Sequence, residues 1–74
     1  MAKKRLLEDI KADPPRIYRM PADVLRDRRF ADFERLEILR AWITTEEDDA
    51  VLSQLAAMIA EMESRLIVND HAAE

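Results

Sequence analysis

The feature that most constrains the fold is an amphipathic stretch at residues 49–68. Its large apolar side chains recur at helical spacing and, at about 100° per residue, fall within an arc of about 120°. They are Val51, Leu52, Leu55, Met58, Ile59, Met62 and Leu66. The pattern predicts a helix with one apolar face, and that face must pack against another element.

The 74-residue sequence contains no glycine. Tight hairpin turns and phosphate-binding loops usually depend on glycine, and no stretch alternates apolar and polar residues with a period of two. We therefore expect an all-α fold. The length suffices for one small domain, in which a single core is only just large enough for stability.

The first twenty residues predict an N-terminal arm. A short helix ends before Pro14 and Pro15, because proline lacks an amide donor and restricts the residue before it. An extended segment at residues 16–20 then docks Ile17 and Met20 on the core. Pro21 suits the first position of a helix, and it opens a helical domain at residues 21–68. We expect helices at about 21–28, 33–43 and 46–68, followed by a flexible tail at 69–74.

The helix at residues 33–43 is expected to be central, with Asp32 as its N-cap. Its apolar residues occupy an arc of about 220° in the same projection, which is too wide for one neighbour to cover. We expect the long C-terminal helix on one side and the N-terminal segment on the other. The predicted core residues of this helix are Leu36, Leu39, Trp42 and Ile43.

Two signals favour a break between these two helices. Thr44 and Glu47 have the spacing of a capping box at the start of a new helix. Extending the apolar repeat of the last helix backwards also places Asp48 in the apolar face. A small helical hairpin or three-helix arrangement is therefore favoured over one long bent helix that dimerises.

Charge divides the chain into two halves. Residues 1–40 hold eleven Lys and Arg against eight Asp and Glu, a net charge of +3. Residues 41–74 hold one Arg against eight acids, a net charge of −7, and the two halves together give −4. Such a chain can fold its halves together, pair head to tail, or present its acidic end to a basic partner.

Composition also bears on compartment. There is no cysteine, so disulfides and thiolate metal sites are excluded. The longest uninterrupted apolar run is the six residues at 55–60, far below the roughly 20 that span a bilayer. No signal-peptide core follows the basic start, because acids return at Glu8 and Asp9. We expect a cytoplasmic protein without a membrane partner.

The arginines of the N-terminal half are the best candidates for nucleic-acid binding; they are Arg16, Arg19, Arg26, Arg28 and Arg29. A short helix–turn–helix-like connection near Arg28 raises that hypothesis. However, the helix that would read the base edges starts with Asp32, Glu34 and Glu37, which would repel phosphates. A salt-bridged surface is the preferred interpretation of these arginines.

No constellation of residues predicts catalysis, a cofactor or a small-molecule substrate. The single histidine, His71, lies in the expected tail, and a zinc site would need carboxylates alone. The acidic run at residues 46–49 lacks the ligand spacing of a calcium loop, so helix-start electrostatics explain it better. We expect a protein without enzymatic activity, resident metal or cofactor.

The middle of the chain resembles small proteobacterial helical proteins that carry a Pro-x-x-Val-Leu-x-Asp segment followed by an Ile-Leu-x-x-Trp helix. The matching residues are Pro21, Val24, Leu25, Asp27, Ile38, Leu39 and Trp42. The resemblance covers about a third of the chain. It implies a bacterial cytoplasmic origin and a helical fold, and it brings no functional residues with it.

The apolar face of the last helix remains as the functional candidate. A helix pair of this size cannot cover both that face and the wide central helix, so we expect a homodimer or a protein partner to complete the burial. The alternative is a monomer that is closed by the N-terminal arm. The expected contact series is Leu52, Leu55, Ile59, Met62 and Leu66. The sequence thus favours a small interaction protein, namely a subunit, adaptor or regulator. The alternative is a nucleic-acid-associated or antitoxin-like regulator that uses the arginine-rich half.

Overall fold

The computed structural model describes the backbone of residues 2–72 and the side chains of residues 5–66. This part of the chain forms five helices and no strand, so the expected all-α fold is confirmed. The helices are α1 (Ala2–Ala12), α2 (Pro14–Ile17), α3 (Pro21–Arg26), α4 (Asp32–Ile43) and α5 (Asp49–Ala72).

Helix α4 is the centre of the fold. It packs most extensively on α5, and α1, α2 and α3 also contact it, which explains its wide apolar arc. Of its predicted core residues, Leu36, Leu39 and Trp42 are buried, and Ile43 is half-buried against them. The other buried apolar residues are Leu7, Ile10, Tyr18, Val24, Phe30, Ile38, Leu55 and Met62.

The expected extended segment at residues 16–20 is only partly correct. Residues 14–17 form the helical turn α2 instead, because Pro14 and Pro15 occupy its first positions, where a missing amide hydrogen costs nothing. The chain becomes extended at Tyr18, whose ring is buried. The expectation that Ile17 and Met20 dock on the core is wrong, since they are 49% and 48% exposed.

Helices α3 and α4 are joined by a short connection. Helix α3 ends at Arg26, two residues before the expected end, because Asp27 is extended. Asp32 is not the N-cap of α4 but its first residue, and Ala31 is the N-cap. The Ala31 amide donates to Glu34 Oε1 at 2.7 Å, and Asp32 is bound by Arg35 at 2.8 Å.

The predicted break between α4 and α5 is present. Thr44 ends α4, and its hydroxyl donates to the carbonyl oxygen of Ala41 at 2.7 Å. Glu46 in the turn accepts a hydrogen bond from Trp42 Nε1 at 2.7 Å. The buried indole therefore has the polar partner that burial requires.

Asp48, rather than Thr44, caps α5. Its Oδ1 accepts from the amides of Ala50 and Val51 at 2.8 and 3.2 Å, the usual geometry of an N-cap carboxylate. The predicted capping box of Thr44 and Glu47 is therefore wrong. Helix α5 starts three residues later than expected and continues to Ala72, past the expected start of the tail. The side chain of His71 and residues 73–74 lie outside the described part.

Candidate protein-interaction surface

The polar groups whose pKa values are shifted most lie around Asp27, in the connection between α3 and α4. The buried Tyr18 hydroxyl donates to Asp27 Oδ2 at 2.6 Å. The Arg29 guanidinium binds the same carboxylate through two bonds, Nε to Oδ1 at 2.9 Å and Nη2 to Oδ2 at 2.7 Å. Arg35 Nε adds a bond to the Asp27 carbonyl oxygen at 3.0 Å. We call Tyr18, Asp27 and Arg29 the Asp27 cluster.

The electrostatics of the Asp27 cluster suit a structural role. Hydrogen bonding to Arg29 holds the pKa of the Asp27 carboxyl well below its usual range. Burial, followed by the hydrogen bond to the carboxylate, raises the pKa of the Tyr18 phenol. A general acid or base works best with a pKa near the operating pH, and both groups are shifted away from neutrality. The cluster links Tyr18 of the N-terminal segment to the connection that leads into α4.

The predicted basic-patch residues are all exposed. Arg29 is fixed on Asp27, and Arg26 lies 3.5 Å from Asp23. Among the described residues, no ion pair involves Arg16, Arg19 or Arg28. The surface is thus partly salt-bridged. The bond between Tyr18 and Asp27 brings the two arginine-bearing segments to one side of the molecule, a proximity that the sequence does not reveal.

The predicted contact series on α5 divides into two sets. Leu55 and Met62 are fully buried in the protein's own core, at 0% and 2% exposure. Leu52, Ile59 and Leu66 are half-buried. Projected at about 100° per residue, these three lie together on one side of the Leu55–Met62 line. We call this side of α5 the outer flank; Leu55 and Met62 are not available to a partner.

A groove of about 320 Å³ runs between α4 and the outer flank. It is lined by Leu36 and Arg40 of α4 and by Glu63 and Leu66 of α5. An ion pair between Arg40 and Glu63 joins the two helices. Because Leu36 meets Leu66 while Arg40 meets Glu63, the two helices run antiparallel here. Leu36 and Leu66 form the apolar part of the groove, and its two charged groups, Arg40 and Glu63, neutralise each other.

Phe33 was not singled out as a surface residue from the sequence, yet it is the most exposed large apolar side chain of the described part, at 53%. It lies one turn before Leu36 on α4, so it shares a face of that helix with a residue that lines the groove. Glu37, one turn after Phe33 on the same face, is bound by Lys11 of α1 at 2.8 Å. The face of α4 that bears Phe33 therefore carries an aromatic ring beside the ion pair of Glu37 and Lys11.

A second depression of about 450 Å³ lies between α1 and α2. Leu6, Ile10 and Ile17 form its apolar part, and Asp9, Asp13 and Arg16 surround them. No group of three or more His, Cys, Asp or Glu side chains in the described part is placed to hold a metal ion. Nor does any helix among the described residues combine the length and apolar content needed to cross a bilayer.

No family model, curated protein or solved structure matches this chain.

Proposed function

We propose that this protein is a small non-catalytic interaction protein, a subunit, adaptor or regulator, that binds a protein partner through the groove between α4 and α5. The observation that carries the proposal is Phe33, which is 53% exposed and lies one turn from Leu36, a residue that lines the groove. Aromatic side chains at the rim of apolar grooves are frequent anchors of protein interfaces.

The outer flank of α5 supports the same proposal. Leu52, Ile59 and Leu66 are only partly buried there, and the exposed Ala56 and Ala60 leave room for another helix to approach. Contiguous apolar surface of this kind on a small domain commonly marks a binding site. A helix laid in a groove is a common mode of recognition between proteins.

Affinity capture from the native cell with three immobilised baits tests the proposal. Phe33→Asp removes the exposed ring at a helix position where an acid suits the dipole, so the fold should persist. Met20→Asp is the matched control, because Met20 is 48% exposed and does not line the groove. Proteins bound by the wild type should be retained by the Met20 variant and lost with the Phe33 variant. An unchanged set of captured proteins with Phe33→Asp would contradict the proposal.

A nucleic-acid-associated regulator is the second candidate. It is supported by the exposed Arg16, Arg19 and Arg28, which are brought to one side by the Asp27 cluster. Binding of this kind should appear in a gel shift at low salt and weaken steeply as salt rises. The double variant Arg19→Ala with Arg28→Ala should abolish that shift. A shift that survives both substitutions would remove this candidate.

The proposal includes a cytoplasmic location, supported by a cysteine-free composition that suits a reducing compartment. Fractionation of the native cell with an antibody against the protein would test it. Recovery in a secreted fraction would contradict it.

A further inference from the structure

The outer flank of α5 repeats every seven residues. Leu52, Ile59 and Leu66 are spaced at i, i+7 and i+14, and they project within an arc of about 40°. A seven-residue apolar repeat is the spacing by which two helices pack along a shared axis. All three side chains are half-buried by the protein itself, which leaves one side of each for a second helix.

We infer that the occupant of this surface is a second copy of the same chain, with its α5 antiparallel to the first. The inference rests on the proposed function and names the partner. A two-fold axis at Ile59 places Leu52 of one copy opposite Leu66 of the other, and Ile59 opposite itself. This is the self-complementary contact that two-fold symmetry requires. The exposed Ala56, one turn from Ile59, borders this contact and permits close approach.

The charges in the middle of α5 agree with this register. Between residues 52 and 66 the only charged side chains are Glu61, Glu63 and Arg65. The same axis sets them opposite Ala57, Leu55 and Ser53, so no two like charges face each other in this stretch. Towards the helix ends the axis sets position 48 opposite position 70, and both are aspartates. Glu63 is already bound by Arg40 of its own chain. The contact therefore buries little unpaired charge, which is the costly part of most interfaces.

The ends of the hairpin supply the complementary charge. The acidic run at residues 46–49 precedes α5, whereas Arg26, Arg28 and Arg29 precede α4, at the opposite end of the hairpin. The twelve residues of α4 hold these two ends roughly 18 Å apart within one chain, at about 1.5 Å per residue. An antiparallel pair exchanges the ends, so the acidic run of each copy lies beside the arginine end of the other.

Each end of the hairpin carries exposed charged side chains that fit this exchange. Glu46 and Asp48 are occupied by their own turn and helix start, but Glu47 and Asp49 are exposed. At the other end, Arg28 is exposed and forms no ion pair within the described residues. A parallel pair would instead set the two acidic runs side by side, and like charges across an interface are unfavourable. Antiparallel order is therefore favoured.

Single-cysteine cross-linking tests the arrangement directly, because the chain has no cysteine of its own. Ile59→Cys places a thiol on the axis. Gln54→Cys is the matched control, exposed on the opposite side of the buried Leu55. Under mild oxidation at micromolar concentration, the Ile59 variant should form a disulfide-linked dimer at least roughly tenfold faster than the control, as expected for about 1.4 kcal/mol of preferred orientation. Equal rates would overturn the inference.

The register has its own readout. Leu52→Cys mixed with Leu66→Cys should cross-link, whereas Leu52→Cys alone should not, because its two copies would lie about 21 Å apart at 1.5 Å per residue. Self-linking of Leu52→Cys would indicate a parallel pair and overturn the inference. Arg28→Glu should slow the Ile59→Cys cross-link at low salt, and adding Glu47→Arg in the same chain should restore its rate. An unchanged rate with Arg28→Glu would overturn the charge argument.

These outcomes separate the inference from the proposed function. If the wild type is a monomer by sedimentation at high micromolar concentration but its captured partner is still lost with Phe33→Asp, the second copy is ruled out and the interaction function stands. If cross-linking of Ile59→Cys is specific while Phe33→Asp leaves capture unchanged, the second copy stands and the groove is not the site of other partners.

Discussion

Removing the Tyr18 hydroxyl should destabilise the fold by about 2 kcal/mol. The hydroxyl donates to Asp27 Oδ2 at 2.6 Å, and Tyr18 and the Asp27 side chain are only 6% and 9% exposed. Water therefore cannot readily replace the lost donor. A hydrogen bond to a charged group contributes about 1.5–3 kcal/mol net, whereas Tyr18→Phe leaves the packed ring in place. For a domain of this size, the midpoint of thermal unfolding should fall by roughly 10 °C.

The measurement is urea unfolding of wild type and Tyr18→Phe, followed by circular dichroism and by the fluorescence of Trp42. Asp27→Asn is the companion variant, because it keeps the size of the side chain and removes its charge. In a double-mutant cycle the two substitutions should couple by at least about 1 kcal/mol, since they share one bond. A loss below about 0.5 kcal/mol for Tyr18→Phe, or no coupling in the cycle, would refute the structural role of the Asp27 cluster.

Three further predictions concern the core, the acid limb and the helix start. Leu39→Ala should lower the free energy of unfolding by about 2–5 kcal/mol, because Leu39 is fully buried. The pKa of Asp27 is lowered on folding. The stabilisation that Asp27 contributes should therefore be complete above its ordinary pKa of 3.8 and lost as the pH falls through the lower folded value. In Asp27→Asn, the free energy of unfolding should fall less steeply at acidic pH (the acid limb of the stability curve). Asp48→Ala should cost about 1 kcal/mol as the loss of an N-cap, whereas Asp49→Ala should change stability little.

Each of these predictions has a clear contradiction. Urea unfolding that shows less than about 1 kcal/mol of loss for Leu39→Ala would mean that α4 is not the centre of the core. Equal acid limbs for wild type and Asp27→Asn would show that Asp27 is not the carboxylate whose protonation destabilises the fold. Equal losses of unfolding free energy for Asp48→Ala and Asp49→Ala would mean that neither residue is the N-cap of α5.

Local patterns were enough to predict four of the five helices of the described residues and the centre of the fold, but not α2. The wide apolar arc around Trp42 required several neighbours, and α4 has them. The proline pair set the end of α1, and the failure of the apolar repeat at Asp48 located the break. These features depend on spacing along the chain, which the sequence contains directly.

Features that depend on which side of an element meets its neighbour could not be predicted. The apolar arc on α5 holds seven residues. The angle at which α4 packs on α5 decides that Leu55 is buried while Ile59 is only half-buried. The bond between Tyr18 and Asp27 joins residues nine apart with no shared motif. Phe33 belongs to the same apolar arc as Leu36, and nothing in the sequence places it outside the core.

The cap of α5 shows a closer competition. Thr44 and Glu47 fit a capping box, but the shorter side chain of Asp48 reaches two amides of the first turn. Thr44 is used to end the previous helix instead. Residues 44–48 contain both capping patterns. The path of the chain through the turn decides which of them caps α5.

The central claim is that two copies of the chain pair through the face formed by α4 and the outer flank of α5. Amide chemical shifts of the isotope-labelled protein, recorded from about 10 μM to about 1 mM, test it most directly, because these concentrations bracket dissociation constants of a weak dimer. The account predicts concentration-dependent shifts at Phe33, Leu52, Ala56, Ile59 and Glu63, with none around the depression between α1 and α2. Shifts confined to that depression, or none on α5, would contradict it.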